Sequence, residues 1–121
     1  CNKKEAGVFN RCKRLKKDCE WFSREDFSQK NTLLNKLEQE ADFIILAGFL
    51  WKIPENIVAA FPNKIINIHP SLLPKYKGLN THKKAIKHKD RFAGCTVHYV
   101  TSKLDSGKII LQKKIKIIVS N

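Results

Sequence analysis

Asn67 and His69 are the residues of this chain whose types and spacing most directly suggest chemistry. They stand in Ile65-Ile66-Asn67-Ile68-His69-Pro70, where three β-branched isoleucines read as a buried strand, and side chains two apart on a strand share a face. One amide and one imidazole would then open into a common pocket, a hydrogen-bond donor beside a proton carrier. Pro70 cannot continue a central ladder, so the strand should end at His69, and ligands bind at strand ends in open α/β sheets. The same pattern also suits a purely structural strand end, in which Asn67 satisfies local backbone and His69 merely caps the strand.

The elements around this stretch must position it. Asn2 followed by Glu5 has the spacing of a capping box, and Ala6, Phe9, Cys12 and Leu15 then predict an amphipathic helix to about Lys17, covering a sheet. Cys19 to Phe22 is a brief strand candidate, and a second helix after Ser23-Arg24-Glu25-Asp26 carries Leu33, Leu34 and Leu37. Phe43-Ile44-Ile45-Leu46 is continuous and apolar, as in a parallel strand buried on both faces. Gly48 then lets the backbone turn, and Phe49 to Ile53 forms a loop lined with Leu50 and Trp51 that could hold a flat heterocycle or serve as a hydrophobic plug. Pro54 opens the next helix, with Ile57, Val58 and Phe61 inward.

Downstream of the central strand, Pro70-Ser71-Leu72-Leu73-Pro74 is a two-proline turn, and Thr81 is a plausible N-cap for a short helix containing His82, Ala85 and Ile86. Gly94 to Val100 predicts a strand in which Cys95, Val97 and Tyr99 alternate with Thr96 and His98. After the loop Thr101 to Gly107, Ile109 to Val119 predicts a final strand whose Lys113, Lys114 and Lys116 suit an exposed edge. Strands alternating with helices, then two strands in succession, predict an α/β class with a mainly parallel sheet and an antiparallel addition near the C-terminus.

Composition narrows the function classes. At 121 residues the chain has the size of one domain, and its Cys1 start, absence of Met and ending just after a strand-like run lead us to expect a piece of a larger protein. No apolar run approaches the roughly 20 residues of a membrane span, and nothing resembles a signal peptide, so no membrane partner is expected. The net charge of +13 invites a nucleic-acid partner, but the lysines are spread through every segment, which suits a solvated surface and argues against nucleic acid. Cys1, Cys12, Cys19 and Cys95 lack a CxxC pair or a histidine at zinc-like spacing. Reduced thiols in a cytoplasmic compartment and no metal are therefore expected.

Four stretches together resemble the glycinamide ribonucleotide formyltransferases, folate-dependent enzymes of purine synthesis: Leu46-Ala47-Gly48-Phe49, Ile66 through His82, Gly94 through His98, and Leu104-Asp105-Ser106-Gly107. The continuation Gly78-Leu79-Asn80-Thr81-His82 separates them from the related methionyl-tRNA formyltransferases and formyltetrahydrofolate deformylases. The resemblance implies a Rossmann-like three-layer α/β/α formyltransferase fold, truncated here. The chain would be a single partial domain over residues 1–121, without the N-terminal strand with its phosphate-binding turn and without the C-terminal strand and helix.

It also implies a reaction. A formyl group would move from 10-formyltetrahydrofolate, the formyl donor, to the amine of 5-phosphoribosylglycinamide, with no metal, in a monomer or homodimer. Asn67, His69 and Asp105 would be catalytic. Asn67 and a protonated His69 would donate to the oxyanion, and Asp105 would lie beside His69, where a carboxylate favours the imidazolium. His98 would stand behind Asp105. Leu50, Trp51, Lys52, Ile53 and Asn67 would line the pterin pocket, Thr101, Ser102, Lys103, Leu104 and Asp105 would close its other side, and Arg24 would meet the glutamate tail. The family often has Met-Arg where this chain has Leu50-Trp51.

Overall fold

The computed structural model describes residues 1–28 and 31–118 and divides into two compact units, Cys1–Ala41 and Asp42–Asn121. The first unit contains α1 (Val8–Arg14), α2 (Arg24–Ser28) and α3 (Thr32–Glu40). α1 starts later than predicted: Gly7 is its N-cap without a side-chain bond, and the Asn2–Glu5 segment closes only a turn, from Lys3 carbonyl to Ala6 N–H. Cys19 to Phe22 is not a strand. Its Phe22 N–H meets the Cys1 carbonyl at 2.9 Å and the Cys1 amino group donates to the Glu20 carbonyl, but contact with a single residue does not make a strand.

The helix predicted after Asp26 is α3, which starts at Thr32, and a separate short helix, α2, precedes it with Ser23 and Asp26 capping it reciprocally. The Ser23 N–H and hydroxyl donate to Asp26 Oδ2 at 2.7 and 2.8 Å, and the Asp26 N–H returns to Ser23 Oγ at 3.2 Å. These hydrogen bonds from Ser23 hold the Asp26 carboxyl below its usual range. Leu33, Leu34 and Leu37 fall on α3, of which Leu33 is buried.

The second unit carries β1 (Ile44–Ala47), α4 (Glu55–Ala60), β2 (Ile65–His69), α5 (Thr81–Lys87), β3 (Phe92–Tyr99) and β4 (Ile109–Lys116). The strands form one mixed sheet in the order β1-β2-β3-β4. β1 and β2 are parallel, joined through α4, whereas β2–β3 and β3–β4 are antiparallel. The antiparallel share thus exceeds the single strand predicted. After β2 ends at His69, residues 70–91 leave the chain at the same end of the sheet, so β3 must run back beside β2.

The core of this unit is formed by Ile57 of α4 and Phe61 at its C-cap, Ile65 of β2, Ala85 of α5, and the loop residues Ile53 and Leu73. Burial of each large apolar side chain contributes roughly 1.5–3 kcal/mol. Three local expectations change. β1 is not buried on both faces: it is the outer strand among the described residues, and Ile45 is 65% exposed. Pro54 is the N-cap of α4, a position from which its carbonyl accepts the Ile57 and Val58 N–H groups. Asn80, in a left-handed conformation, takes the cap position of α5 predicted for Thr81, which frees the Thr81 hydroxyl to donate to the Pro70 carbonyl at 2.6 Å.

β3 begins two residues before the predicted Gly94 and ends at Tyr99. β4 is exposed throughout and carries Lys113, Lys114 and Lys116, as an edge requires; its predicted last residue, Val119, lies outside the described residues.

Candidate active site

β2 spans Ile65–His69, as its sequence predicts, and delivers Asn67 and His69 to one face. The register pairs Asn67 with His98 and His69 with Thr96, so four polar side chains from two neighbouring strands occupy that face. In β3 the buried residues are therefore Thr96, fully enclosed, and His98, at 2% exposure, while Cys95, Val97 and Tyr99 are only half-buried. Alternation alone does not tell which half of a strand faces inward; here the polar half does.

Asp105 reaches the same corner from the loop after β3. Its Oδ2 lies 3.5 Å from His69 Nδ1, its Oδ1 lies 3.7 Å from His98 Nε2, and its side chain is 7% exposed. The Gly78 N–H donates to Asp105 Oδ2 at 2.8 Å, which aims the carboxylate. Lys77 Nζ donates to Ser106 Oγ at 2.6 Å, tying the same two loops together again. The Asp105 loop can fold back against β3 only because residue 107 is glycine: a Cβ there would sit 1.7 Å from the Tyr99 carbonyl oxygen.

The two imidazoles are oriented by backbone. His69 Nε2–H donates to the Tyr76 carbonyl at 2.9 Å, so Nδ1 is the ring nitrogen turned towards Asp105. His98 Nδ1–H donates to the Tyr99 carbonyl at 2.9 Å, leaving Nε2 to accept from Asn67 Nδ2 at 3.3 Å. His98 thus contacts both Asp105 and Asn67, a double role that the chain order does not reveal. An amide with one N–H committed to His98 keeps its second N–H for a ligand.

These groups border a pocket of about 480 Å³, within the range of small-molecule sites. One wall is the turn after β1, which Gly48 makes at φ +68° before Phe49, Leu50, Trp51, Lys52 and Ile53. Ile53 is buried, whereas Leu50 is 68% exposed. The opposite wall is Thr101, Ser102, Lys103, Leu104 and Asp105, and a third side is formed by residues 78–83 at the start of α5. Every sequence-predicted site residue therefore borders one cavity except Arg24, which lies in α2 of the first unit.

Residue-type reasoning missed the Tyr76 carbonyl and the Gly78 N–H. Backbone groups leave no mark in side-chain identity, although a glycine at φ +76° after the turn is a faint one. His82 also borders the pocket. Among the described residues, no group of three or more His, Cys, Asp or Glu is arranged to hold a metal ion, and no helix is long and apolar enough to cross a membrane.

Comparison with known proteins gives this arrangement a context. The formyl transferase family profile matches residues 1–121. Phosphoribosylglycinamide formyltransferase of Haemophilus influenzae is 40% identical over 121 residues, covering 96% of this chain and 57% of that protein. The Escherichia coli enzyme of the same name is 39% identical over 100 residues, covering 82% of this chain and 46% of its own length. The crystal structure of glycinamide ribonucleotide transformylase 1 from Symbiobacterium toebii superposes with a TM-score of 0.89 at 34% identity, over 97% of this chain and 57% of that one. The chain thus spans about half the length of the curated relatives it matches.

Proposed function

The chain belongs to the formyl transferase family, and from that membership we propose that it is the formyl-transfer region of a phosphoribosylglycinamide formyltransferase. In this reading the formyl group of 10-formyltetrahydrofolate passes to the amine of 5-phosphoribosylglycinamide. The observation that carries it is the convergence of Asn67, His69 and Asp105, 38 residues apart from first to last (105 − 67), on the rim of one ligand-sized pocket.

Attack of the amine on the formyl carbon gives a tetrahedral centre bearing an oxyanion. The free N–H of Asn67 and His69 Nδ1–H are its donors. Preorganised donors of this kind contribute on the order of 10²–10³ in rate. His69 Nδ1 passes its proton to the departing folate nitrogen, and the neutral Nδ1 then takes up the proton that the attacking amine gives up; this is general acid–base work, worth typically about 10²–10⁴. Because Nε2 is committed to the Tyr76 carbonyl, the whole proton traffic of the ring falls on Nδ1, and Asp105 is the charge that faces it.

Leu50, Trp51, Lys52 and Ile53 on one side and Thr101, Ser102, Lys103 and Leu104 on the other would hold the pterin. Residues that hold the substrate phosphate, and a closing strand and helix, would come from outside this chain as parts of the same domain. The partners are thus two small molecules, without nucleic acid or membrane, and the enzyme acts in the cytoplasm as a monomer or homodimer.

The test is an acceptor assay on the complete protein with 10-formyltetrahydrofolate, offering glycinamide ribonucleotide, water or charged initiator tRNA. Rapid formylation of the ribonucleotide alone is expected. Preferential release of formate, or formylation of the tRNA, would replace this reading with deformylase or tRNA formyltransferase chemistry.

A further inference from the structure

Thr96 shares the inward face of β2 and β3 with Asn67, His69 and His98, touches neither Asn67 nor Asp105 by a hydrogen bond, and is fully enclosed. Valine has the same shape, so a buried threonine there needs a hydrogen-bonding reason. Its hydroxyl donates to the Ser71 carbonyl at 2.7 Å and accepts from the Leu73 N–H at 3.0 Å and from Gln112 Nε2 at 2.9 Å. One donor and two acceptor sites are the full capacity of a hydroxyl, and all three are filled. Gln112 Nε2 also donates to the Leu73 carbonyl at 2.8 Å, so β4 grips the turn as well.

That turn determines where His69 points. Ser71 Oγ donates to the Lys75 carbonyl at 2.6 Å and lies 3.3 Å from the Tyr76 carbonyl, the group that accepts His69 Nε2–H. We propose that Thr96, buttressed by Gln112, is a positioning residue for formyl transfer: it pins the Ser71–Tyr76 turn so that the Tyr76 carbonyl holds the His69 ring with Nδ1 facing Asp105. The proposal rests on the reading of His69 as the proton carrier. Without Thr96 the Ser71 carbonyl and Leu73 N–H lose their partner, the turn shifts, and the ring is released from its carbonyl anchor. A displacement near 1 Å at a reacting group costs on the order of 10²-fold in rate.

Thr96→Val, Thr96→Ser and Gln112→Leu in the complete protein test this, each checked for folding by its thermal transition. In Thr96→Val, kcat should fall about 10–100-fold while KM for the folate stays within about 2-fold, since no pocket surface is removed. Thr96→Ser keeps the hydroxyl and should recover most of kcat. Gln112→Leu, on an exposed strand, should fold even if Thr96→Val does not, and should lower kcat by a smaller factor in the same direction.

The second measurement is the solvent-exchange rate of His69 Nε2–H by NMR, which should rise in Thr96→Val and Gln112→Leu and return in Thr96→Ser. Unchanged exchange and kcat in folded Thr96→Val, or in folded Gln112→Leu where Thr96→Val does not fold, would overturn the proposal, as would a lowered kcat with unchanged exchange. An unmutated protein without formyl transfer would count against the functional reading instead, and the exchange measurement would still decide the positioning role.

Discussion

The corner formed by Asn67, His69 and Asp105 and the wall formed by Gly48 to Ile53 border the same pocket, yet they are built on opposite principles. In the corner each polar group is held by a directional partner: Tyr76 carbonyl on His69, Gly78 N–H on Asp105, His98 on Asn67. The wall is mainly apolar surface, where Trp51 and Phe49 meet edge to face at 6.0 Å and Leu50 extends outward. Hydrogen bonds weaken steeply with distance and angle, whereas apolar contact is non-directional and scales with area. A polar corner therefore tolerates few residue types, while an apolar wall tolerates many.

The largest effect that would sharpen this contrast is Asp105→Asn in the complete protein. The amide can still accept from Gly78 N–H, but the charge facing His69 Nδ1 is gone, so kcat should drop by about 10²–10⁴ with KM for the folate changed only a few-fold. Normal turnover in steady-state assays would remove Asp105 from the mechanism. Next, Asn67→Ala deletes one oxyanion donor and should lower kcat by about 10²–10³. An effect confined to KM would reassign Asn67 to ligand binding.

On the wall the pattern should reverse. Trp51→Ala should raise KM for the folate by on the order of tenfold, as about 1.4 kcal/mol of lost contact gives, with kcat nearly unchanged. A kcat loss as large as that of Asn67→Ala would break the distinction between corner and wall.

The smallest effect is on stability, on the outer side of the turn that anchors His69. Lys75 Nζ bonds both oxygens of Asp90 at 2.7 and 2.8 Å, which holds the Asp90 carboxyl below its ordinary range and raises the Lys75 ammonium. A depressed carboxylate contributes above its unfolded pKa and loses that contribution as pH falls through the folded one. A raised ammonium contributes below its unfolded pKa and loses that as pH rises through the folded one. The pair is therefore stabilising between the two ordinary ranges, modestly because it is exposed. Thermal melts of Asp90→Asn should show a slightly lower midpoint at neutral pH and converge with the unmutated protein in acid below the carboxylate range. A gap that persisted in acid would mean that Asp90 acts through something other than its charge.

Much of this was legible before any coordinates. β2 ends where Pro70 dictates, the lysine-bearing β4 is an exposed edge, and Asn67 and His69 share a face because a strand alternates. The misreadings have a common physical origin. Cys19 to Phe22 has strand-like residues but bonds main chain only to Cys1 among the described residues, the Asn2–Glu5 box yielded to a start at Gly7, and Ile45 belongs to an outer strand. Each depends on what neighbours the segment.

The amino-acid order by itself determined which residues could do the chemistry and which pairs must lie side by side, because strand periodicity and proline are local properties. Tertiary structure alone decided that Thr96 and His98 point inward, that Nδ1 and not Nε2 of His69 faces Asp105, and that backbone groups of Tyr76 and Gly78 aim the His69 and Asp105 side chains. Those outcomes depend on the β2–β3 register and on two loops meeting across the sheet end, and contacts between distant segments are formed only when the chain folds.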